Sequence, residues 1–214
     1  MPRQAYDDVV TSGEAARQVL AARPGARVLH VGPERDLNLY DGLPVTLGGE
    51  DDCDLIACTG LVDDERETPD DYRARLARWH RRALPMLCVN PDVVVERGGR
   101  LVWCAGAIAE RYRELGAETI VVGKPYAEIY RAALDRIAEI AGGVVAPSSL
   151  LAVGDGIDTD VRGAVAQGID VAFVTDGIHA AVFGSRHAPD LAAVHAFLAT
   201  AGLGARCLLK RLVW

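Results

Sequence analysis

Short runs of Val, Ile and Leu, most of them unbroken by charge, recur along the chain and constrain its fold more than any other feature. They are DDVVT (7–11), ARVLHV (26–31), CDLIACT (53–59), LPMLCVN (84–90), ETIVVG (118–123), SLLAVG (149–154) and DVAFVT (170–175). A strand covered on both faces has to be apolar nearly throughout, and that is the mark of parallel sheets flanked by helices. Segments of helical periodicity lie at 12–23, 70–83, 105–116, 126–141, 159–168 and 189–200. In 70–83, Tyr72, Leu76 and Trp79 form an apolar stripe with charge around it. Strand and helix in alternation predict an α/β fold with right-handed crossovers.

Residues 32–69 break this rhythm. PERDLNLYDGLPVTLGGEDD is polar and turn-rich without a convincing helical pattern, and ERETPDD marks a second break. Long structureless loops are uncommon inside compact domains. We therefore expect 24–88 to be a small inserted module with strands at 26–31, 44–47 and 53–59, and 1–23 with 89–214 to form a larger α/β core. One continuous domain with a long loop is the competing expectation.

Composition removes several functions. The chain has 214 residues and a formal net charge of −7, which argues against a nucleic-acid binder. It opens with no secretory signal pattern and contains no uncharged apolar run of membrane-spanning length, so we expect a cytoplasmic protein. The five cysteines are odd in number and follow no zinc spacing, and the five histidines form no HExxH pair. Both sets read as structural.

Chemistry concentrates where strands run into helices. In LLAVGDGIDTD (150–160), an apolar strand is followed by Asp155, Asp158 and Asp160 around glycine. That is the carboxyl end of a parallel strand, where open α/β sheets bind ligands. Carboxylate oxygens are the hard donors that Mg²⁺ takes, so Asp155 and Asp160 are candidate metal ligands; Asp158 reads as a helix-cap or surface carboxylate. ETIVVGKPYAEIY repeats the junction with Lys124. Its ammonium either neutralises the crowded carboxylates and holds a phosphoryl group, or is simply solvated. DDVVTSGEAA carries Thr11 and Ser12 at a third junction, which serve as an anion site or a plain helix cap. No GxGxxG or P-loop stands in the sequence.

TSG, NPD, GKP and GDGIDTD, followed by AQGIDVAFVTDG, together resemble the haloacid-dehalogenase-like (HAD) hydrolase superfamily, and more narrowly the NagD-like class IIA phosphatases with a C2-type cap. The resemblance implies a Rossmannoid parallel-sheet core with 24–88 as the cap. It implies Thr11 and Lys124 as catalytic groups, with Thr11, Ser12, Asn90 and Lys124 binding phosphate. Asp155 and Asp160 would hold Mg²⁺, and the substrate would be a small phosphorylated metabolite; homo-oligomerisation stays open. In the family, a DxDG motif at the end of the first core strand supplies an aspartate that forms an aspartyl-phosphate and a second that acts as general acid and base. No DxDG occurs in these 214 residues. We therefore expect the first core strand to be missing, the sequence to be a truncated form of a longer gene product, and the 214-residue form to be inactive. A non-catalytic phosphate-ligand-binding or regulatory domain is the alternative.

Overall fold

The computed structural model describes residues 2–97, 100–185 and 188–213. They form two compact units, one of residues 11–123 and one of residues 1–10 with 124–214.

In the first unit, α1 (Ser12–Ala21) starts at a reciprocal cap. Thr11 Oγ1 accepts from Glu14 N at 3.2 Å, and Glu14 Oε2 accepts from Thr11 N at 2.7 Å. Each partner satisfies an N–H that the first helical turn leaves open. Then follow β1 (Arg27–Val31), a 3-10 turn at Glu34–Tyr40, β2 (Thr46–Leu47), β3 (Leu55–Cys58), a 3-10 turn at Pro69–Tyr72 and α2 (Arg73–Arg81). The unit continues with β4 (Met86–Cys88), β5 (Val94–Arg97), β6 (Arg100–Trp103), α3 (Ala105–Glu114) and β7 (Thr119–Val121). Five strands make one sheet in the order β2-β1-β3-β4-β7, with every pair parallel. The inner strands β3 and β4 are buried at every residue, as their unbroken apolar sequence requires. Trp79 and Leu76 from α2 and Ile108 and Tyr112 from α3 are buried as well, and Tyr112 satisfies its hydroxyl by donating to Leu84 O at 2.7 Å.

In the second unit, α4 (Ala127–Ala141) leads to β8 (Leu151–Gly154). A single π-turn at Ile157–Val161 then runs into α5 (Arg162–Ala166) and β9 (Asp170–Val174). The two-residue strands β10 (Gly184–Ser185) and β11 (Ala188–Pro189), α6 (Leu191–Thr200) and β12 (Cys207–Leu209) complete it. The sheet order is β12-β9-β8, again parallel. Its core holds Val161, Val171, Phe173, Phe183, Val194 and Leu198. β8 lies at the edge, and Leu151 and Val153 remain 52% and 44% exposed.

One expectation changes. Residues 7–10 are not a strand: Val9 is 54% exposed, and the Asp8 carboxylate turns to Val9 N and to Arg136 of α4, so no ladder forms there among the described residues. β1, β3 and β4 share their sheet with β7, and the first compact unit runs to Gly123. Residues 94–97 and 100–103 form an antiparallel pair that the list of apolar runs did not include. Trp214, at the apolar C-terminus, lies outside the described residues.

Candidate cation and phosphate site

In the second unit the acidic loop emerges from the carboxyl end of β8 and is organised by its own last carboxylate. Asp160 Oδ2 accepts from the backbone N–H of Asp155 at 3.1 Å and of Gly156 at 2.9 Å. Its other oxygen pairs with the Lys124 ammonium. Gly154 has to lack a side chain, since a Cβ there would collide with the Asp160 carboxylate. Tyr130 of α4 donates its hydroxyl to Asp160 O at 3.3 Å. Burial pushes the Tyr130 phenol up to about 12, and the nearby Asp160 charge adds to the rise, so the phenol is a neutral donor at physiological pH.

Asp155 is held differently. Its Oδ2 accepts from Ile178 N at 2.8 Å, whereas its Oδ1 has no partner among the described residues. Asp158 points away and pairs with Arg162 at 2.8 Å, with its side chain 77% exposed, so it belongs to the helix surface.

The loop's chemistry suits a hard dication. Asp155 offers an open carboxylate oxygen, and Asp160 Oδ1 is shared with a lysine whose side chain is 54% exposed. No group of three His, Cys, Asp or Glu residues among the described ones forms a closed metal cage. Mg²⁺ binds in this open manner, through one or two carboxylates with water and phosphate completing its shell. Zn²⁺ in structural sites takes four protein ligands instead.

Thr11, Ser12 and Asn90 are together in the first unit, where they line a cavity of about 540 Å³ with Arg17, Asp36, Asn38 and Thr59. The cavity opens where β1, β3 and β4 end and α1 begins. The Thr11 hydroxyl is committed to capping α1, and Asn90 Oδ1 accepts from Asp92 N at 3.1 Å. The Ser12 hydroxyl and the Asn90 amide group have no side-chain partner among the described residues. The structure thus brings Lys124, Asp155 and Asp160 together in one unit and Thr11, Ser12 and Asn90 in the other.

Sequence reasoning missed the turn after β9. Ile178 N holds Asp155, and His179 Nε2 accepts from Ile157 N at 3.4 Å. A signal was present: VTDG ends the AQGIDVAFVTDG run that carries the resemblance, but none of its residues was given a role.

The second unit thus carries an acidic loop and a lysine at the carboxyl end of a parallel sheet, and comparison with known proteins identifies the family. Residues 121–198 match the HAD-hydrolase-like family. The chain is 46% identical to a haloacid dehalogenase-like hydrolase from Brucella suis 1330, with a TM-score of 0.77 over 99% of this chain and 74% of that one. It therefore belongs to the haloacid dehalogenase-like hydrolase family. A glycerol phosphate phosphatase from Mycobacterium tuberculosis, solved in complex with calcium, is 28% identical with a TM-score of 0.60 over 80% of this chain and 49% of that one. A p-nitrophenyl phosphatase from Archaeoglobus fulgidus shares the fold at 21% identity and a TM-score of 0.68, over 92% of this chain and 69% of that one. No curated protein matches the chain.

Proposed function

We propose that this chain carries the cation- and phosphate-binding part of an HAD-type, Mg²⁺-dependent phosphomonoester hydrolase that acts on a small phosphorylated metabolite. The observation that carries the reading is the grouping of Lys124, Asp155 and Asp160 at the carboxyl end of β8. The M. tuberculosis phosphatase has been solved with calcium and with magnesium, which supports the choice of a divalent cation. Bound Mg²⁺ would supply charge neutralisation to the phosphoryl oxygens. Asp155 would hold the cation through its open oxygen, and Asp160 would keep the loop closed by accepting the Asp155 and Gly156 N–H groups. Lys124 would turn from Asp160 toward the phosphoryl oxygens, which its exposed, flexible stem allows. In the other unit, Ser12 and Asn90 would bind a polar ligand within their own cavity, and Thr11 would fix the start of α1.

The sequence contains no DxDG, so we assign binding and charge neutralisation to these residues and no bond-making group. The test is isothermal titration of the 214-residue chain with Mg²⁺, then with inorganic phosphate in the presence of Mg²⁺, beside hydrolysis of 4-nitrophenyl phosphate. We expect Mg²⁺ binding that Asp155→Asn abolishes, phosphate binding that Lys124→Ala weakens, and little turnover. Absence of Mg²⁺ binding by the unsubstituted chain refutes the reading; robust, Asp155-dependent turnover refutes the assignment of binding alone.

A further inference from the structure

The turn after β9 closes the AQGIDVAFVTDG run, whose residues were given no role in the site, yet it touches the acidic loop at three points. β8 and β9 are parallel neighbours with Gly154 opposite Phe173, so both loops leave the sheet at the same edge. Ile178 N donates to Asp155 Oδ2 at 2.8 Å. Gly177 lies directly against the Asp155 side chain, and a Cβ at 177 would overlap Asp155 Cβ and its carboxylate. His179 Nε2 accepts from Ile157 N at 3.4 Å.

The turn is anchored on both sides. Before it, Thr175 N and Asp176 N donate to Leu209 O and Lys210 O at 2.8 and 2.9 Å and extend the pairing with β12. Within it, Ala180 N closes onto Gly177 O at 3.0 Å. The His179 ring rests on Phe197 of α6 with centroids 4.9 Å apart, and Phe197 in turn meets Phe183 of the core at 5.4 Å. A carboxylate gripped at one oxygen by such a support presents the other in a set direction at little further entropic cost.

We propose that Gly177–His179 is the positioning element of the cation site. It clamps Asp155 Oδ2 so that Oδ1 faces the cation, and His179 pins the loop's middle through Ile157. Glycine at 177 is required because any side chain would displace the carboxylate. None of these three residues touches the cation or the substrate. The inference deepens the function proposed above and rests on it.

The test measures Mn²⁺ binding, through loss of the free-ion EPR signal, to the 214-residue chain and to three variants, with thermal unfolding recorded for each. His179→Ala should weaken Mn²⁺ binding about tenfold, in the range found when groups that orient metal ligands are removed. His179→Gln, which restores an acceptor at about the same reach, should recover most of the loss. A merely structural role would move the melting temperature in both variants without that recovery of affinity. Gly177→Ala should weaken binding at least as much as His179→Ala. Tight binding by the unsubstituted chain with unchanged binding in His179→Ala refutes the inference and leaves the proposed function standing. No binding by the unsubstituted chain refutes the proposed function itself.

Discussion

Asp160→Ala is the substitution whose local cost the structure defines best. It deletes a carboxylate oxygen that accepts two backbone N–H groups, at 3.1 Å from Asp155 and 2.9 Å from Gly156, and it releases Lys124. Hydrogen bonds to a charged acceptor contribute about 1.5–3 kcal/mol each. The two here share one oxygen and are not additive, so about 3 kcal/mol is the expected loss. Gly156 is buried, so water cannot simply replace the lost acceptor at its N–H. Asp160→Asn keeps an acceptor in the same place and should lose about 1 kcal/mol, mainly through the missing charge toward Lys124. Native-state hydrogen exchange read at the Asp155 and Gly156 amides separates the two. The Ala variant should exchange about 100-fold faster and the Asn variant about fivefold faster, at about 1.4 kcal/mol per decade. Amides of β9, whose ladder does not depend on Asp160, serve as the internal control. Equal exchange in the two variants, or acceleration spread evenly over the unit, would refute the view that this carboxylate closes the loop.

Two further outcomes concern ionisable groups away from the site. Burial raises the Asp64 carboxyl, but hydrogen bonds from Arg35 and Arg97 outweigh it and leave the group below the usual carboxylate range. A lowered folded pKa means stability that is present above the unfolded value of about 4 and lost as pH falls through the folded one. Asp64→Asn should therefore cost about 1–2 kcal/mol at pH 7, discounted for the exposed arginines, with the deficit narrowing as pH falls below the unfolded value; a urea midpoint gap that stays constant or widens on acidification would contradict this. Thiol reactivity is the other: Cys53, Cys58, Cys88 and Cys104 are buried and Cys207 is exposed. Burial pushes the Cys88 thiol up to about 12 and the Cys58 thiol higher than its ordinary value. Iodoacetamide at pH 8 should label Cys207 alone in the native protein, and rapid labelling of Cys58 or Cys88, read by mass spectrometry, would show that the sheet opens.

What was readable in the sequence is what depends on near neighbours. The unbroken runs LIAC and MLC are inner strands because both of their faces are covered, and the Tyr72, Leu76 and Trp79 stripe is buried as its spacing required. DDVV failed for a reason that propensity does not contain: β-branched residues make a strand only where a partner ladder exists, and here Asp8 engages its own neighbour and Arg136 instead. The same limit applied to the Thr11 hydroxyl: that it caps α1 depends on Glu14 reaching back to close the box.

The site divides along the same line. That carboxylates follow LLAVG is local, and the sequence shows it. Which oxygen of each carboxylate remains available is set by partners far along the chain: Lys124 lies 36 residues from Asp160, and Ile178 lies 23 residues from Asp155. The difference matters chemically, because Asp155 and Asp160 look equivalent as metal ligands on spacing alone. Among the described residues Asp160 spends both oxygens, one on the loop and one on Lys124, while Asp155 spends only one. Their roles are therefore unequal. A cation can engage Asp155 without disturbing any bond, whereas engaging Asp160 requires the lysine to leave, and the lysine leaves most readily when a phosphoryl group is present to receive it. Cation and phosphate binding should on this account reinforce each other through Lys124.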